Sequence, residues 1–344
     1  MFRVVSAISL IISLSGIFTN AQNVKYYSSE SSMLSNSLIN HIIQDSYGYV
    51  WVATEDGLNR FDGSDFFVYR TKATDVFHDG SGLNANYIQT MFEDSQKNLW
   101  IGTIRGLQRY NRTSDSFETI PIVAIGDTIA AHVTGIVEDN EGQIWIATSG
   151  RGVLCYNGSV ATHPDNFKAI ASLDFISSIS FDKNGDLWLV AFKNGVYRCN
   201  TKRGAISLIK LTSTSQLNAT TSITHCEDGK TFININDEGL YIFDEESERF
   251  VPSDITKIYG AVNIFSFASD KENYYIGTEG KGLITHHIRT GKGEVLDYYI
   301  PHVDLKKAKV HSILIDRDGN MWLGLFQKGI LLVPRQTAHF TTYS

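Results

Sequence analysis

Two sets of residues recur at fixed distances from a repeated Asp, and both are of types that hold sugars. Tyr87, His132, Phe175 and Lys309 each stand seven residues before an Asp (Asp94, Asp139, Asp182 and Asp316), and His311 lies two residues beyond Lys309. The second set is Arg105, Arg151, Lys193 and Lys281, each in the loop after the strand that follows the Asp. Aromatic faces stack on sugar rings, and guanidinium forks bind hydroxyls or the carboxylates of acidic sugars. Together they suit an anionic or partly anionic oligosaccharide as ligand. No bond-making constellation accompanies them. The ten His include no His-Glu-x-x-His, and no Gly-x-Ser-x-Gly elbow is present. Asp316-x-Asp318-Gly319 resembles the start of a calcium loop but lacks its terminal Glu, so it reads as a hairpin turn. No catalytic residue, metal or cofactor is expected.

These residues are positioned by a repeat. All five Trp of the chain, Trp51, Trp100, Trp145, Trp188 and Trp322, follow an Asp by six residues: Asp45, Asp94, Asp139, Asp182 and Asp316. Phe232 and Tyr275 keep an aromatic at the equivalent place, and successive aromatics are 43 to 49 residues apart. Each is followed six or seven residues later by Gly (Gly57, Gly106, Gly152, Gly195, Gly239, Gly282, Gly329) and then by Leu, Val or Ile. Such a period marks a stacked supersecondary unit. The first copy resolves into strands Leu34–Gln44, Tyr49–Thr54, Leu58–Phe61 and Phe66–Tyr69, with Asp45-Ser46-Tyr47-Gly48 as the first turn. Four short antiparallel strands per copy predict an all-β chain, a seven-bladed β-propeller of four-stranded antiparallel blades with almost no helix.

The first strand of each blade is expected innermost, with Ile42, Met91, Ile136, Ile179 and Ile313 at equivalent places. The Trp should pack between neighbouring blades, and the hydroxyls of Thr54, Thr103 and Thr148 should bond backbone at the strand end. Copy five, Ser222–Asp244, is degenerate and its inner register stays open. A propeller must join its last blade to its first, because open edges are costly. Val24–Tyr27 and Phe340–Tyr343 compete for that outer strand, and Val24–Tyr27 is preferred.

Composition supports an ordered globular chain: 344 residues, 42% hydrophobic, 28 Gly and only 5 Pro. The net charge of -7 and the absence of a basic run exclude a phosphate-binding surface, so no nucleic acid is expected. Residues 1–21 read as a signal peptide. Arg3 precedes an apolar run, Val4–Phe18, which is shorter than a spanning helix needs, and Ala21 offers a small residue at the cleavage site. Residues 22–344 form the propeller, expected in the periplasm. Cys155, Cys199 and Cys226 carry no metal or disulfide spacing.

The copies DSYGYVWVATEDGLNRF, DSQKNLWIGTIRGLQRY, DNEGQIWIATSGRGVLCY and DRDGNMWLGLFQKGI resemble the two-component regulator propeller repeat, over essentially the whole mature chain. The turn is also similar to the structural Asp-box turns of propeller sialidases, but no arginine triad accompanies it. The family resemblance implies a non-enzymatic, carbohydrate-sensing periplasmic domain of a hybrid two-component system, of which this chain looks like the first sensor propeller without the kinase. It implies a second propeller or a sensor kinase as partner, a second copy of the chain as a further one, and contact with the membrane only through a C-terminal region this sequence lacks. The competing expectation is an exported propeller enzyme of polysaccharide lyase or glycosidase type.

Overall fold

The computed structural model describes residues 24–71, 82–124, 127–164, 173–297, 300–301 and 303–335. The expected leader at 1–21, most of the 71–82 connection and the competing strand Phe340–Tyr343 lie outside them. Each repeat is built outward from its Asp. One carboxylate oxygen of Asp45 accepts the backbone N–H groups of Tyr47 and Tyr49, both at 3.0 Å, which closes the turn. The other oxygen accepts the indole N–H of Trp51 at 2.8 Å. The same indole bond joins Trp100 to Asp94, Trp145 to Asp139, Trp188 to Asp182 and Trp322 to Asp316, at 2.8–3.0 Å. In the Tyr275 copy a phenol replaces the indole and donates to Asp270 at 2.7 Å. Phe232 has no donor, and Asp228 there takes the Tyr274 hydroxyl from the next sheet and Lys230 at 3.3 Å.

The strands flanking each turn are the first two of a four-stranded antiparallel run. Around Trp51 the order is Ile39–Gln44, Val50–Thr54, Gly57–Phe61 and Phe66–Tyr69. Around Trp100 it is Ile88–Glu93, Leu99–Thr103, Gly106–Asn111 and Ser116–Ile120. The same order recurs around Trp145, Trp188, Phe232, Tyr275 and Trp322. The outer strands of the Trp188 and Phe232 sheets, Ala205–Leu211 and Arg249–Pro252, pair in parallel and join those two into one eight-stranded sheet. The register left open in copy five is Ile223 opposite Ile233. The one α-helix among the described residues is Asp254–Tyr259.

The first strand begins at Ile39, not at Leu34 as the sequence suggested. Residues 34–38 bind their own and neighbouring side chains instead. The Asn36 carboxamide accepts the N–H of Leu38 at 2.7 Å, and the Ser35 N–H donates to Asn59 at 2.8 Å. Such local bonds compete with strand pairing.

Lys25–Tyr27 supplies the outer strand of the Trp322 sheet, pairing antiparallel with Gly329–Val333. Gly329 sits at a φ of +89°, and a Cβ there would lie 2.1 Å from the carbonyl oxygen of Tyr27, so only glycine admits this strand. Tyr27 stacks on Trp322 at 6.4 Å and meets Phe61 and Phe66 of the first sheet at 5.6 and 5.3 Å.

Each apolar cluster fills the space between two consecutive sheets. Trp51 is buried among Ile88, Met91, Leu99 and Ile101, and Trp322 among Ile39, Ile42, Val50 and Val52, so the last sheet packs on the first. A large aromatic there buries on the order of 150–250 Å². Ile42, Met91, Ile136 and Ile179 are buried on the inner strands, and Ile313 is partly buried. Neighbouring side chains satisfy the free edges of these strands. The Asn40 amide donates to Ile88 O at 2.8 Å and Thr134 Oγ1 to Ile176 O at 2.6 Å. Met91 N donates to His41 Nδ1 at 3.1 Å, and Ile42 N to Ser312 Oγ at 3.1 Å.

Three predictions follow from this frame. Asp45, fully buried, also accepts from Arg112 Nη1 at 2.8 Å, so Asp45→Asn keeps the side chain's size but unbalances its indole and Arg112 partners, and should cost about 2–4 kcal/mol in denaturant unfolding. Deleting residues 22–27 should lower Tm by several degrees, because a lost outer strand costs a few kcal/mol; an unchanged Tm would mean the closing strand is not needed. Burial pulls the pKa of His41 and of His225 down to about 4, against about 6.5 in an unfolded chain. The unfolded state therefore takes up protons first, and stability should fall as pH drops from about 6.5 toward 4, before most carboxylates titrate. A flat Tm across that window would contradict the buried, neutral state of both imidazoles.

Candidate functional site

All nine sequence-selected residues lie at one end of the sheets. The start of each inner strand adjoins the end of the second strand, as the pairs Ile88 with Thr103, His132 with Ser149, Ile176 with Ala191 and Val310 with Leu325 record. Tyr87 and Phe175 immediately precede an inner strand, and His132 opens one. Arg105, Arg151 and Lys193 occupy the loops after the second strands of the same three sheets. The loops are held by the threonines expected there. Thr54 and Thr148 donate to Gly57 O and Gly152 O at 2.8 Å, and Thr103 donates to Gly106 O at 3.2 Å. Thr278 does the same to Gly282 O at 2.7 Å.

Two groups emerge. The first spans the consecutive Trp100, Trp145 and Trp188 sheets. Tyr87 and His132 meet edge to face at 6.3 Å, and Phe175 packs on Phe192 at 5.0 Å. Lys193 Nζ lies 5.0 Å above the Phe192 ring. Arg105 and Arg151 are exposed, and their guanidinium groups make no ion pair with the described residues. Burial raises the Tyr87 hydroxyl and lowers the His132 imidazole, so both are neutral near pH 7. The buried Nε2 of His132 has no hydrogen-bond partner.

The second group lies on the Tyr275 and Trp322 sheets. His311 is held between Phe265 and Phe326 at 4.4 and 4.8 Å. Lys309 Nζ pairs with Glu279 at 2.6 Å, and Lys281 Nζ reaches back to Tyr259 O at 3.3 Å. The structure therefore does not join these three to the first group, and it commits both lysines to protein partners. The sequence reading missed Ile104, 43% exposed, together with Phe192 and Phe326. Each stands four residues after its Trp, so the same count taken one residue earlier would have found them.

Among the described residues no helix is long and apolar enough to cross a membrane. Four segments, residues 33–56, 82–105, 129–150 and 304–327, match the two component regulator propeller family. A 42-residue stretch, 12% of this chain and 3% of the relative, is 50% identical to histidine kinase P4 of Formosa agariphila. Among solved structures, the extracellular domain assigned to the hybrid two component system BT3049 of B. thetaiotaomicron is similar at a TM-score of 0.76 and 22% identity, over 90% of this chain and 41% of that one. The extracellular domain of BT4673 from the same organism gives 0.71 and 21%, over 91% and 43%. PorZ, a surface component of the type-IX secretion system of Porphyromonas gingivalis, gives 0.62 and 15%, over 87% and 46%. The chain thus spans less than half of each solved relative, and these likenesses establish the fold. The segments matched at those four places, each built on the Asp–Trp turn described above, are two-component regulator propeller repeats.

Proposed function

We propose that the chain is the exported, periplasmic ligand-sensing propeller of a two-component sensor, that its sheets are the blades of a seven-bladed ring, and that it binds an oligosaccharide without transforming it. The observation that carries this reading is the arc over the Trp100, Trp145 and Trp188 sheets. There Tyr87, His132, Phe175 and Phe192 supply faces for stacking, and Arg105, Arg151 and Lys193 present exposed cations beside them. Guanidinium forks with no ion pair among the described residues, next to neutral aromatics, suit a sugar chain bearing some carboxylate. The family and the names of the similar extracellular domains support a sensing role. A second propeller, a sensor kinase or a second copy of the chain would carry the signal onward. Lys281, Lys309 and His311 contribute less in this reading, because the two lysines already have protein partners.

A calorimetric screen of the protein against neutral and acidic oligosaccharides tests the proposal and would expose turnover as a continuing heat. Tyr87→Ala and Arg151→Ala should each weaken the best binder by about tenfold, which corresponds to about 1.4 kcal/mol. If both variants keep their fold and bind like the parent, the arc is not the site.

A further inference from the structure

Directly along the strands that carry the arc, the inner strands of the Trp51, Trp100, Trp145 and Trp188 sheets line an open well of about 540 Å³. Its wall continues from the rim residues on the same chain segments: Thr90 follows Tyr87, Thr134 follows His132, and Ser177 follows Phe175. Strands rise about 3.3 Å per residue, so a lining of three or four residues on each strand is roughly 10 Å deep, close to the size of one sugar unit with its hydroxyls. We infer that this well receives one neutral sugar unit of a glycan that lies on the rim.

The bonding of the wall residues supports that ligand class. His41 Nδ1 accepts the N–H of Met91 at 3.1 Å, which leaves Nε2–H as a donor. Ser178 Oγ accepts the N–H of Ile223 at 3.2 Å, so its own proton is free to donate. Thr90 Oγ1 has no hydrogen-bond partner among the described residues. Thr134 and Ser177 donate to Ile176 O at 2.6 Å and Thr221 O at 2.9 Å, and each keeps lone pairs to accept. The well therefore offers free donors and free acceptors in alternation, against the apolar side chains of Met91, Ile136 and Ile179. That mixture matches a sugar, whose hydroxyls both donate and accept and whose C–H faces are apolar. No free positive charge faces it, since burial keeps His41 neutral. Two lining groups are already in use. Gln44 Oε1 accepts from Arg317 N at 2.9 Å, and Glu93 holds Ser46 and Arg112.

This reading rests on the rim proposed above, but the well can be tested without it. Saturation-transfer NMR on the full chain with free glucose, galactose, mannose, xylose, arabinose, rhamnose and fucose measures single units directly. At least one should show transfer, and that signal should fall fivefold or more in Thr90→Val, which removes a hydroxyl with no protein partner, and in Ser178→Ala. Lys257→Ala, on the outer helix, should leave it unchanged. Thermal melts show whether each variant is folded; if Ser178→Ala is not, Thr90→Val alone decides. The inference is overturned if no monosaccharide shows transfer, or if the signal survives in a folded Thr90→Val. An oligosaccharide whose binding is weakened by Arg151→Ala but not by Thr90→Val would leave the rim intact and sink the well. A monosaccharide signal lost in Thr90→Val, with no oligosaccharide binding at the rim, would do the reverse.

Discussion

The carboxylate of the repeated Asp is the constraint from which the rest of the structure follows. A buried indole N–H must find an acceptor, and a tight turn must satisfy its own amides. One side chain meets both needs. Asp45 is 0% exposed, closes its turn with one oxygen and binds Trp51 with the other. The shape of the turn and the orientation of the aromatic at the next interface are therefore a single variable. The substitutions within the chain show what matters. Tyr275 keeps the bond with a phenol, whereas Phe232 cannot, and Asp228 recruits Tyr274 from the neighbouring sheet instead. At Asp182, burial would raise the carboxyl pKa, and the Trp188 indole, the turn amides and Arg198 together outweigh it and hold the pKa low.

Packing then makes the ring close. Each inner strand presents an unpaired edge, which would be a liability if left open. Here Asn40, Thr134, His41 and Ser312 bridge to the backbone of the adjacent inner strand. Such bridges need strands in close approach, and Gly102 shows how close: a Cβ there would meet Val133 and Thr90 at 2.7 Å. The same closeness gives the rim residues fixed bases. Their loops are tied by a Thr hydroxyl to a glycine carbonyl, so Arg105 and Arg151 extend from anchored backbone into solvent.

The candidate site was only partly legible from the sequence. Counting from the Asp put Tyr87, His132 and Phe175 at one end of neighbouring sheets, because strand pairing preserves register. The fate of the cations was not legible. Lys309 and Arg151 look alike as residues in loops, yet Lys309 meets Glu279 and Arg151 meets no carboxylate among the described residues. That difference depends on a side chain supplied by another sheet. Phe192 was overlooked for a related reason: its closeness to Phe175 arises only when the second strand folds back on the first.

The sequence by itself determined the unit: an Asp turn, an aromatic six residues on, a glycine after it, and the period that places each on successive sheets. These are local or strictly periodic features, and hydrogen bonding within one hairpin enforces them. The choice of closing strand had no local sign, because Val24–Tyr27 and Phe340–Tyr343 are both short stretches with two aromatics. The tertiary structure decided what depends on distant segments meeting. It set Ile223 opposite Ile233 in the degenerate copy, joined two outer strands in parallel, and seated Tyr27 on Trp322. It also set a well along four inner strands, a space that belongs to no single repeat. Periodicity fixes what each repeat contributes, but the contacts between repeats are set by packing across the ring, and one linear pattern does not encode that geometry.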